Sequence, residues 1–351
     1  MEFKALSGNA GEWLKGSGPE SDIVIATRVR LARNLADFPF LTRATLVQRK
    51  EVEDILKREI KATGALGKEL YYALDGISPI DLQFLVERHL ISKDLAASEG
   101  ARGVAFGERE SISLMVNEED HLRMQVLKSG LQIRPAWEQI DRIDDHLEKT
   151  VDFAFSPQLG YLTVCPTNVG TGLRVSVMMH LPALVISKQI EKVFYAVSKI
   201  NLAVRGLYGE GSPASGNFFQ ISNQITLGKS EDQILSNIES AIPQIIHYER
   251  SAREALLGQS RVKLEDKVWR AFGLLRSART ITSEEVMDRL SDIRLGVNMG
   301  VLKELNIKTV NEIFIMTQPA HLQRLEGREL TGPQRDAARA DFIRGKLGEK
   351  N

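Results

Sequence analysis

Arginine and carboxylate side chains recur together in this sequence, at positions where an ordinary core would be apolar. They occur in the segments TRVRLARN, NEEDHLR, GTGLRVS and RGLYGEGS. A strand has a period of two, so Arg28 and Arg30 would lie on one face of a strand. A planar guanidinium group can donate two parallel hydrogen bonds to two oxygens of one phosphate. The pattern therefore indicates a nucleoside triphosphate site, in which carboxylates hold a cationic acceptor in line with the phosphate chain.

The phosphate site is predicted to be built from side chains. Neither the loop GxxxxGK[ST] nor the protein-kinase pair HRD and DFG occurs in the sequence. Arginine side chains would then replace a glycine-rich cradle, and Mg²⁺ would be held by the nucleotide phosphates, with no metal site of the protein's own.

The only cysteine, Cys165, lies in VCPTNVGTG, residues Val164 to Gly172. A lone cysteine is often a small buried hydrophobic residue, and it is also the residue type of a reactive thiol. From the residues of this segment alone, both interpretations stay open. One cysteine excludes an internal disulfide and any multi-cysteine zinc site, as is usual in a reducing compartment.

Charge and hydropathy exclude several classes of protein. The chain has 46 lysine plus arginine residues and 46 aspartate plus glutamate residues, so no global basic field favours nucleic acid or a membrane surface. The longest apolar run, SVMMHLPALVIS, is interrupted by His180 and Pro182 and is too short to cross a bilayer. The first residues lack the apolar core of a signal peptide. We therefore expect a globular, cytoplasmic protein.

The elements that must position these residues indicate an α+β fold. SDIVIATRVRLARN, ESISLMVN and LGYLTVCP are typical of strands, while TLVQRKEVEDILKREIKA, DLQFLVERHLI and SKQIEKVFYAVSKINLAV have helical spacing of apolar residues. Beyond Gly258 the pattern is almost entirely helical, with a capping box expected at Thr282 and Glu285, and a helix start at Pro333. We predict an antiparallel sheet flanked by helices in residues 1–257 and an all-helical domain in residues 258–351.

The blocks NEEDHLR, CPTNVGTGLR and RGLYGE resemble the catalytic blocks of the phosphagen kinases, which include creatine and arginine kinases. The resemblance covers residues 20 to 255 approximately and implies the α+β catalytic domain of that family. It implies that Glu119 and Glu210 are the catalytic carboxylates and that Cys165 is a reactive thiol beside the guanidino substrate. It also implies an ATP site at the following residues: Thr27, Arg28, Val29, Arg30, Leu31, His89, Arg123, Arg174, Val175, Ser176, Val177, Met178, Arg205, Gly206, Leu207, Tyr208 and Gly209.

Two departures from ordinary phosphagen kinases affect the predicted substrate. In that family a helical domain precedes the catalytic domain and closes over a small guanidino substrate. We expect no counterpart of that domain before the motifs of this sequence. Another helical domain is expected after them. An uncovered site could admit an arginine within a polypeptide. Over its whole length the chain resembles the McsB family of bacterial protein arginine kinases. In that family an RDxxRA motif is said to form an allosteric phosphoarginine pocket, which here implies Arg335, Asp336, Arg339 and Ala340 in RDAARA.

Three functions stay open from the sequence. The first is a protein arginine kinase, which by resemblance would act in the stress response. Its partners would then be the activator McsA, the repressor CtsR and the protease ClpC. The resemblance implies that it inactivates the repressor and marks clients for degradation by the protease. The second is a kinase of small guanidino compounds with unusual domain order. The third is an adaptor that reads phosphoarginine without catalysis; the intact carboxylates and arginines disfavour it. A homodimer is also left open.

Overall fold

A computed structural model of the protein describes Phe3, Leu6 and residues 10–66, 70–206 and 215–348. In this part of the chain, eight strands form one antiparallel sheet in the order β2-β3-β4-β5-β1-β8-β10-β9, and β6 pairs with β7. The strands are β1 (Val24–Arg33), β2 (Leu70–Ala73), β3 (Gly103–Phe106), β4 (Ile112–Val116), β5 (Leu122–Ser129), β6 (Phe155–Ser156), β7 (Gly160–Tyr161), β8 (Leu173–His180), β9 (Leu202–Gly206) and β10 (Phe218–Asn223).

Helices cover the sheet and form the carboxyl-terminal part. They are α1 (Leu46–Ala62), α2 (Pro79–Glu87), α3 (Lys93–Ala97), α4 (Ile133–Glu148), α5 (Pro182–Ile186), α6 (Ile190–Lys199), α7 (Glu231–Ser277), α8 (Ser283–Asn298), α9 (Ile307–Met316), α10 (Pro319–Glu326) and α11 (Gly332–Gly348). This arrangement confirms the predicted α+β class with a helical region after the sheet. No helix in the described ranges is long and apolar enough to span a membrane.

Strand β1 lies at the centre of the sheet, between β5 and β8, and its two faces differ in character. Val29 and Leu31 are fully buried in the main hydrophobic core, together with Val175 on β8. Arg28 and Arg30 alternate with them and lie on the opposite face. The alternation of a strand thus supports the core with one set of side chains and a polar surface with the other.

The helical region packs against the rest of the protein through a second core. Helix α7 runs through the predicted boundary at residues 257 and 258, with a break from helical geometry at Ser260, where φ is −141°. Leu264 and Phe272 of α7 share a hydrophobic cluster with Leu14 and Phe218. This cluster therefore joins the carboxyl-terminal helices to the amino-terminal segment and to β10.

Several local predictions need adjustment. The stretch LGYLTVCP is mostly irregular, since only Gly160–Tyr161 forms a strand there. The segment predicted as one helix over residues 187–204 ends as a helix at Lys199 and continues as β9. Thr282 caps α8 as expected, accepting a hydrogen bond from the Glu285 backbone, but the reciprocal bond of a capping box is not formed.

Candidate active site

A cavity of about 440 Å³ lies on the arginine-bearing face of the sheet. Its lining combines the sequence-predicted residues Arg28, Arg30, Leu31, His89, Glu119, Arg123, Cys165, Arg174 and Arg205 with others, including Ser92, Lys93, Asp94, Thr167, Asn168 and Gln220. The sequence did not single out the second set, although Thr167 and Asn168 stand within the quoted cysteine segment. Residues far apart in the chain thus meet in one concave site.

Strand register explains how the arginines converge. Arg30 on β1 lies directly opposite Arg174 on β8, and Arg123 on β5 lies opposite Ala32, two residues further along β1. Arg205 on β9 is paired with Gln220 of β10. All of these arginines line the same cavity, although they belong to four different strands. Like charges opposite one another destabilise a sheet, so this face is arranged for an anionic ligand.

Burial, together with the proximity of the arginines to one another, lowers the pKa values of Arg28 and Arg30. Burial, with the charges of Arg174 and Arg123, lowers the pKa of Arg28 to about 10. Burial and the neighbouring arginines also lower the pKa of Arg30. The Nε atom of Arg30 is buried and makes no hydrogen bond within the described part of the chain. A polyphosphate would relieve the repulsion and supply acceptors for these donors.

The turn between β4 and β5 presents Glu119 to the cavity. Arg123 donates one hydrogen bond from Nη1 to Glu118 Oε1, at 2.5 Å, and another from Nη2 to Glu119 Oε2, at 2.9 Å. The Glu118 side chain is buried, whereas that of Glu119 is 38% exposed and open to the cavity. Burial raises the pKa of Glu119 in spite of the lowering effect of Arg123. A carboxylate of raised pKa suits the role of a proton acceptor.

Buried polar residues fix this turn. The Asn34 side chain donates to Asp120 Oδ1 at 2.6 Å and accepts from the backbone of His121 at 2.9 Å. Asp120 Oδ1 also accepts from the backbone of Val164, at 2.8 Å, and so connects the turn to the cysteine segment. Sequence patterns gave no signal for this link, because it joins residues 44 positions apart.

The cysteine segment forms one wall of the cavity. The Cys165 side chain is half-buried, and its Sγ lies 3.0 Å from Thr167 Oγ1. Thr226 anchors the segment by donating to the carbonyl oxygens of Thr167 and Val169. Gly172 has φ of +65°, and a Cβ there would lie 2.6 Å from the Ala32 carbonyl oxygen. Only glycine allows the segment to approach β1 this closely.

His89 lines the other side of the cavity, just after α2. Its backbone is left-handed, with φ of 59°, and its ring lies edge-on to Trp13 at a centroid distance of 4.7 Å. Burial, and secondarily the charge of Arg28, lower its pKa to about 3. The imidazole is therefore neutral near pH 7 and can stack or accept a hydrogen bond without adding charge.

Comparison with known proteins accounts for both parts of the chain. The family model "ATP:guanido phosphotransferase, C-terminal catalytic domain" matches residues 51–252, and "Protein-arginine kinase McsB C-terminal domain" matches residues 261–351. A protein-arginine kinase of Symbiobacterium thermophilum is 50% identical over 341 residues, covering 95% of this chain and 96% of the relative. The chain belongs to the protein-arginine kinase family.

Another relative within the protein-arginine kinases, from Halothermothrix orenii, is 47% identical over 350 residues and covers 99% of both chains. Among solved structures, the duplicated taurocyamine kinase from Schistosoma mansoni, with bound transition state analog components, matches with a TM-score of 0.62 and 24% identity. The match covers 74% of this chain and 39% of that one. At this identity it supports the phosphagen-kinase fold alone. Membership of an ATP:guanido phosphotransferase family implies the use of ATP.

Other residues predicted for the ATP site of this protein-arginine kinase family member lie outside the cavity lining. The side chains of Val29, Val175 and Val177 are fully buried in the core on the opposite face of the sheet. Thr27 is also buried and donates from Oγ1 to the Gly130 carbonyl oxygen at 2.7 Å. The resemblance assigned every residue of a segment to the ATP site, whereas only alternate residues of a strand can face the cavity. Ser176 and Met178 flank a small recess that adjoins the cavity. Gly206 is the last residue of β9. The remaining predicted residues lie outside the described part of the chain: Leu207, Tyr208, Gly209 and Glu210.

Arg33 and the RDAARA motif are engaged in structural contacts. Arg33, the third arginine of TRVRLARN, is 1% exposed and pairs with Asp144 at 2.5 Å. In the motif, Arg339 is also 1% exposed; it donates to the carbonyl oxygens of Thr317 and Ile281 and to Asp336 Oδ1, at 2.6 Å. The half-buried Arg335 donates to the Leu330 carbonyl oxygen. Asp336 therefore already has a guanidinium partner, and Ala340 is fully buried beside it.

Proposed function

We propose that this protein transfers the γ-phosphoryl group of ATP to the guanidinium group of arginine side chains in proteins. The observation that carries the proposal is the convergence of Arg28, Arg30, Arg123 and Arg174 on one cavity that also contains Glu119. The arginines suit the triphosphate, and the carboxylate suits a cationic acceptor. The close similarity to protein-arginine kinases along the whole chain supports a polypeptide acceptor.

In the proposed reaction, a guanidinium nitrogen attacks the γ-phosphorus as the bond to the β,γ-bridging oxygen breaks and ADP leaves. Glu119 orients the guanidinium by hydrogen bonding and accepts the proton that the attacking nitrogen loses. Its raised pKa makes it a better base than an ordinary glutamate. Glu210 is proposed as the second carboxylate of this pair. Arginine side chains stabilise the charge that spreads over the equatorial oxygens of the phosphoryl group.

Magnesium is proposed to bind together with ATP. Asp94 and Glu119 contribute the carboxylates to the cavity lining, and Glu119 already accepts a hydrogen bond from Arg123. This set of groups fits an ion whose ligands are mainly phosphate and water oxygens, as Mg²⁺ prefers. When bound, Mg²⁺ would supply additional neutralisation of phosphate charge.

Regulation and partners form a finer part of the proposal. A phosphoarginine pocket at RDAARA would require Asp336 to exchange its present partner, Arg339, for the ligand's guanidinium. Arg335, which is half-buried, would be the first side chain that a phosphoryl group could reach. We also propose that the stress repressor CtsR is a substrate, that ClpC receives marked clients, that McsA activates the enzyme, and that the protein acts in the cytoplasm. Phosphorylation of purified CtsR, with and without McsA, tests the first and last of these partners.

One experiment separates the candidate functions. The protein is mixed with labelled ATP and Mg²⁺, and with an arginine-rich polypeptide, the same polypeptide with lysine in place of arginine, or free arginine. We expect acid-labile phosphate on the arginine-rich polypeptide alone. Label on free arginine with none on the polypeptide would establish a small-molecule guanidino kinase. If phosphoarginine binds and no acceptor is labelled, the protein is an adaptor and the proposal is wrong.

A further inference from the structure

A carboxylate of the sheet-bearing part caps a helix of the carboxyl-terminal part. Glu87, the last residue of α2, is 3% exposed. Its carboxylate accepts hydrogen bonds from the backbone of Ala320 at 2.9 Å and of His321 at 3.1 Å, both in the first turn of α10. It also lies 2.8 Å from the Nδ1 atom of His321. A negative group at the N-terminus of a helix accepts hydrogen bonds from the free backbone N–H groups and interacts favourably with the positive end of the helix dipole.

The protonation state of His321 follows from its neighbours. Its Nε2 atom lies 3.3 Å from Nη1 of Arg88, and a guanidinium can only donate, so Nε2 must accept. The proton of the neutral ring is then on Nδ1 and is donated to Glu87. Burial lowers the pKa of His321, although Glu87 raises it, and the ring is 1% exposed. Both ring nitrogens are thus used to connect α10 to Glu87 and Arg88.

Arg88 continues the connection towards the sheet. It is 2% exposed and donates to both carboxylate oxygens of Glu110, at 2.7 and 2.5 Å. Glu87, Arg88 and His89 are consecutive, so two residues held by buried hydrogen bonds and an ion pair directly precede the histidine that lines the cavity. His89 has a left-handed backbone, which costs a non-glycine residue free energy and persists only when its surroundings enforce it.

The ring of His89 is also supported from the helical region. Trp13, which lies edge-on to His89, contacts Phe314 of α9, with ring centroids 6.4 Å apart. Helices α9 and α10 therefore support both the backbone before His89 and the ring itself.

We propose that His321 and Glu87 are positioning residues for the nucleotide, which fix His89 in the cavity from the helical region. The inference rests on the proposed use of ATP and adds a role for residues that do not touch the ligand. The buried hydrogen bonds set the backbone at Glu87 and Arg88, and that backbone in turn sets the direction of the His89 side chain. Loss of the pair should weaken ATP binding and leave the acceptor side of the cavity unchanged.

The test compares His321→Ala, His321→Asn and Glu87→Gln with a matched control, Arg324→Gln. Arg324 of α10 forms an ion pair with Asp81 of α2, so the control loosens the same pair of helices without touching residues 87–89. Calorimetry with Mg²⁺ and ATP gives the Kd for ATP, steady-state kinetics give KM for ATP and for an arginine-rich polypeptide, and thermal unfolding gives stability.

We expect His321→Ala and Glu87→Gln to raise the Kd and KM for ATP about five- to tenfold, the scale of one ordinary hydrogen bond. The KM for the polypeptide should not change. His321→Asn, which keeps a donor near the position of Nδ1, should recover most of the affinity, and Arg324→Gln should stay within about twofold of the parent.

Equal ATP affinity in the parent and Glu87→Gln, or an equal loss in Arg324→Gln, would overturn the inference. If His321→Ala does not fold, Glu87→Gln and His321→Asn decide the question. The ATP titration needs no acceptor, so its result is independent of the proposed transfer to arginine. A parent protein that binds ATP but phosphorylates nothing would refute the proposed function and leave this inference standing.

Discussion

Glu119 accepts a hydrogen bond from Arg123, between Oε2 and Nη2, at 2.9 Å. This contact joins the proposed proton acceptor to a residue of the proposed phosphate clamp, four positions along the same turn and strand. Arg123 lowers the pKa of Glu119, while burial raises it. The contact thus holds the carboxylate in place and moderates its basicity, so that binding of phosphate at Arg123 and proton transfer at Glu119 are physically connected.

Glu119→Gln should reduce phosphoryl transfer by about a hundredfold or more, the scale of a lost transition-state contact. The amide keeps the size of the side chain but cannot accept a proton. ATP affinity should change little, because the amide oxygen can still accept the hydrogen bond from Arg123 and the proton transfer itself concerns the acceptor. Single-turnover rates and ATP titrations measure the two effects, with Glu138→Gln on the exposed surface of α4 as the control. A variant with near-normal turnover would remove Glu119 from the catalytic role.

His121 should make folding sensitive to acid. Its Nδ1 accepts from the backbone of Leu35, and burial lowers its pKa from 6.5 to about 4. Between these two values the unfolded chain binds a proton that the folded protein excludes, so stability falls as the pH falls through this window. The slope is at most about 1.4 kcal/mol per pH unit for one group.

The measurement is urea unfolding at several pH values between 7 and about 4 in the parent and in His121→Asn, whose amide oxygen can still accept from Leu35. Other buried groups titrate equally in both proteins, so the difference between the two curves isolates His121. We expect the parent to lose more stability than the variant as the pH falls. Parallel curves would show that the site of His121 does not exclude the proton.

Cys165→Ser should lower turnover without abolishing it. The thiol lies at the cavity wall beside Thr167, and no covalent phosphocysteine is required by the proposed reaction. Alkylation of the parent should be slowed by nucleotide and acceptor together, because both would cover the wall. Mass spectrometry follows alkylation with time. An alkylation rate that is indifferent to both ligands would place the thiol away from the bound substrates.

Gly172→Ala should destabilise the protein by about 1 to 3 kcal/mol and reduce activity, because the new methyl group would collide with the backbone of β1. Gly228→Ala is the matched control. Gly228 has a similar φ of +71°, but a Cβ there would have no atom within 4 Å, so it reports the backbone conformation alone. Urea unfolding gives both values. Equal losses of unfolding free energy in the two variants would mean that the close approach of the cysteine segment to β1 adds nothing to the cost of Gly172→Ala.

The sequence by itself determined the α+β class, the helical carboxyl-terminal region and the strand that carries Arg28 and Arg30, because these follow from local periodicity. The blocks around Glu119 and Cys165 also predicted which side chains would carry the chemistry. Periodicity failed where the environment overrides it: the stretch LGYLTVCP is apolar enough for a strand, but only Gly160–Tyr161 pairs as one, and Cys165 near its end lines the cavity.

Only the tertiary structure decided which arginines face the cavity. Arg33 has the same residue type and the same segment as Arg28 and Arg30, yet it lies in a buried pair with Asp144 of α4. Arg339 likewise has a motif that suggests ligand binding, and it is enclosed by carbonyl oxygens of the helical region. Strand register placed Arg174 opposite Arg30, and the contact of Glu87 with His321 spans 234 positions. Such pairings depend on the free energy of packing distant segments together, which no local pattern of residues encodes.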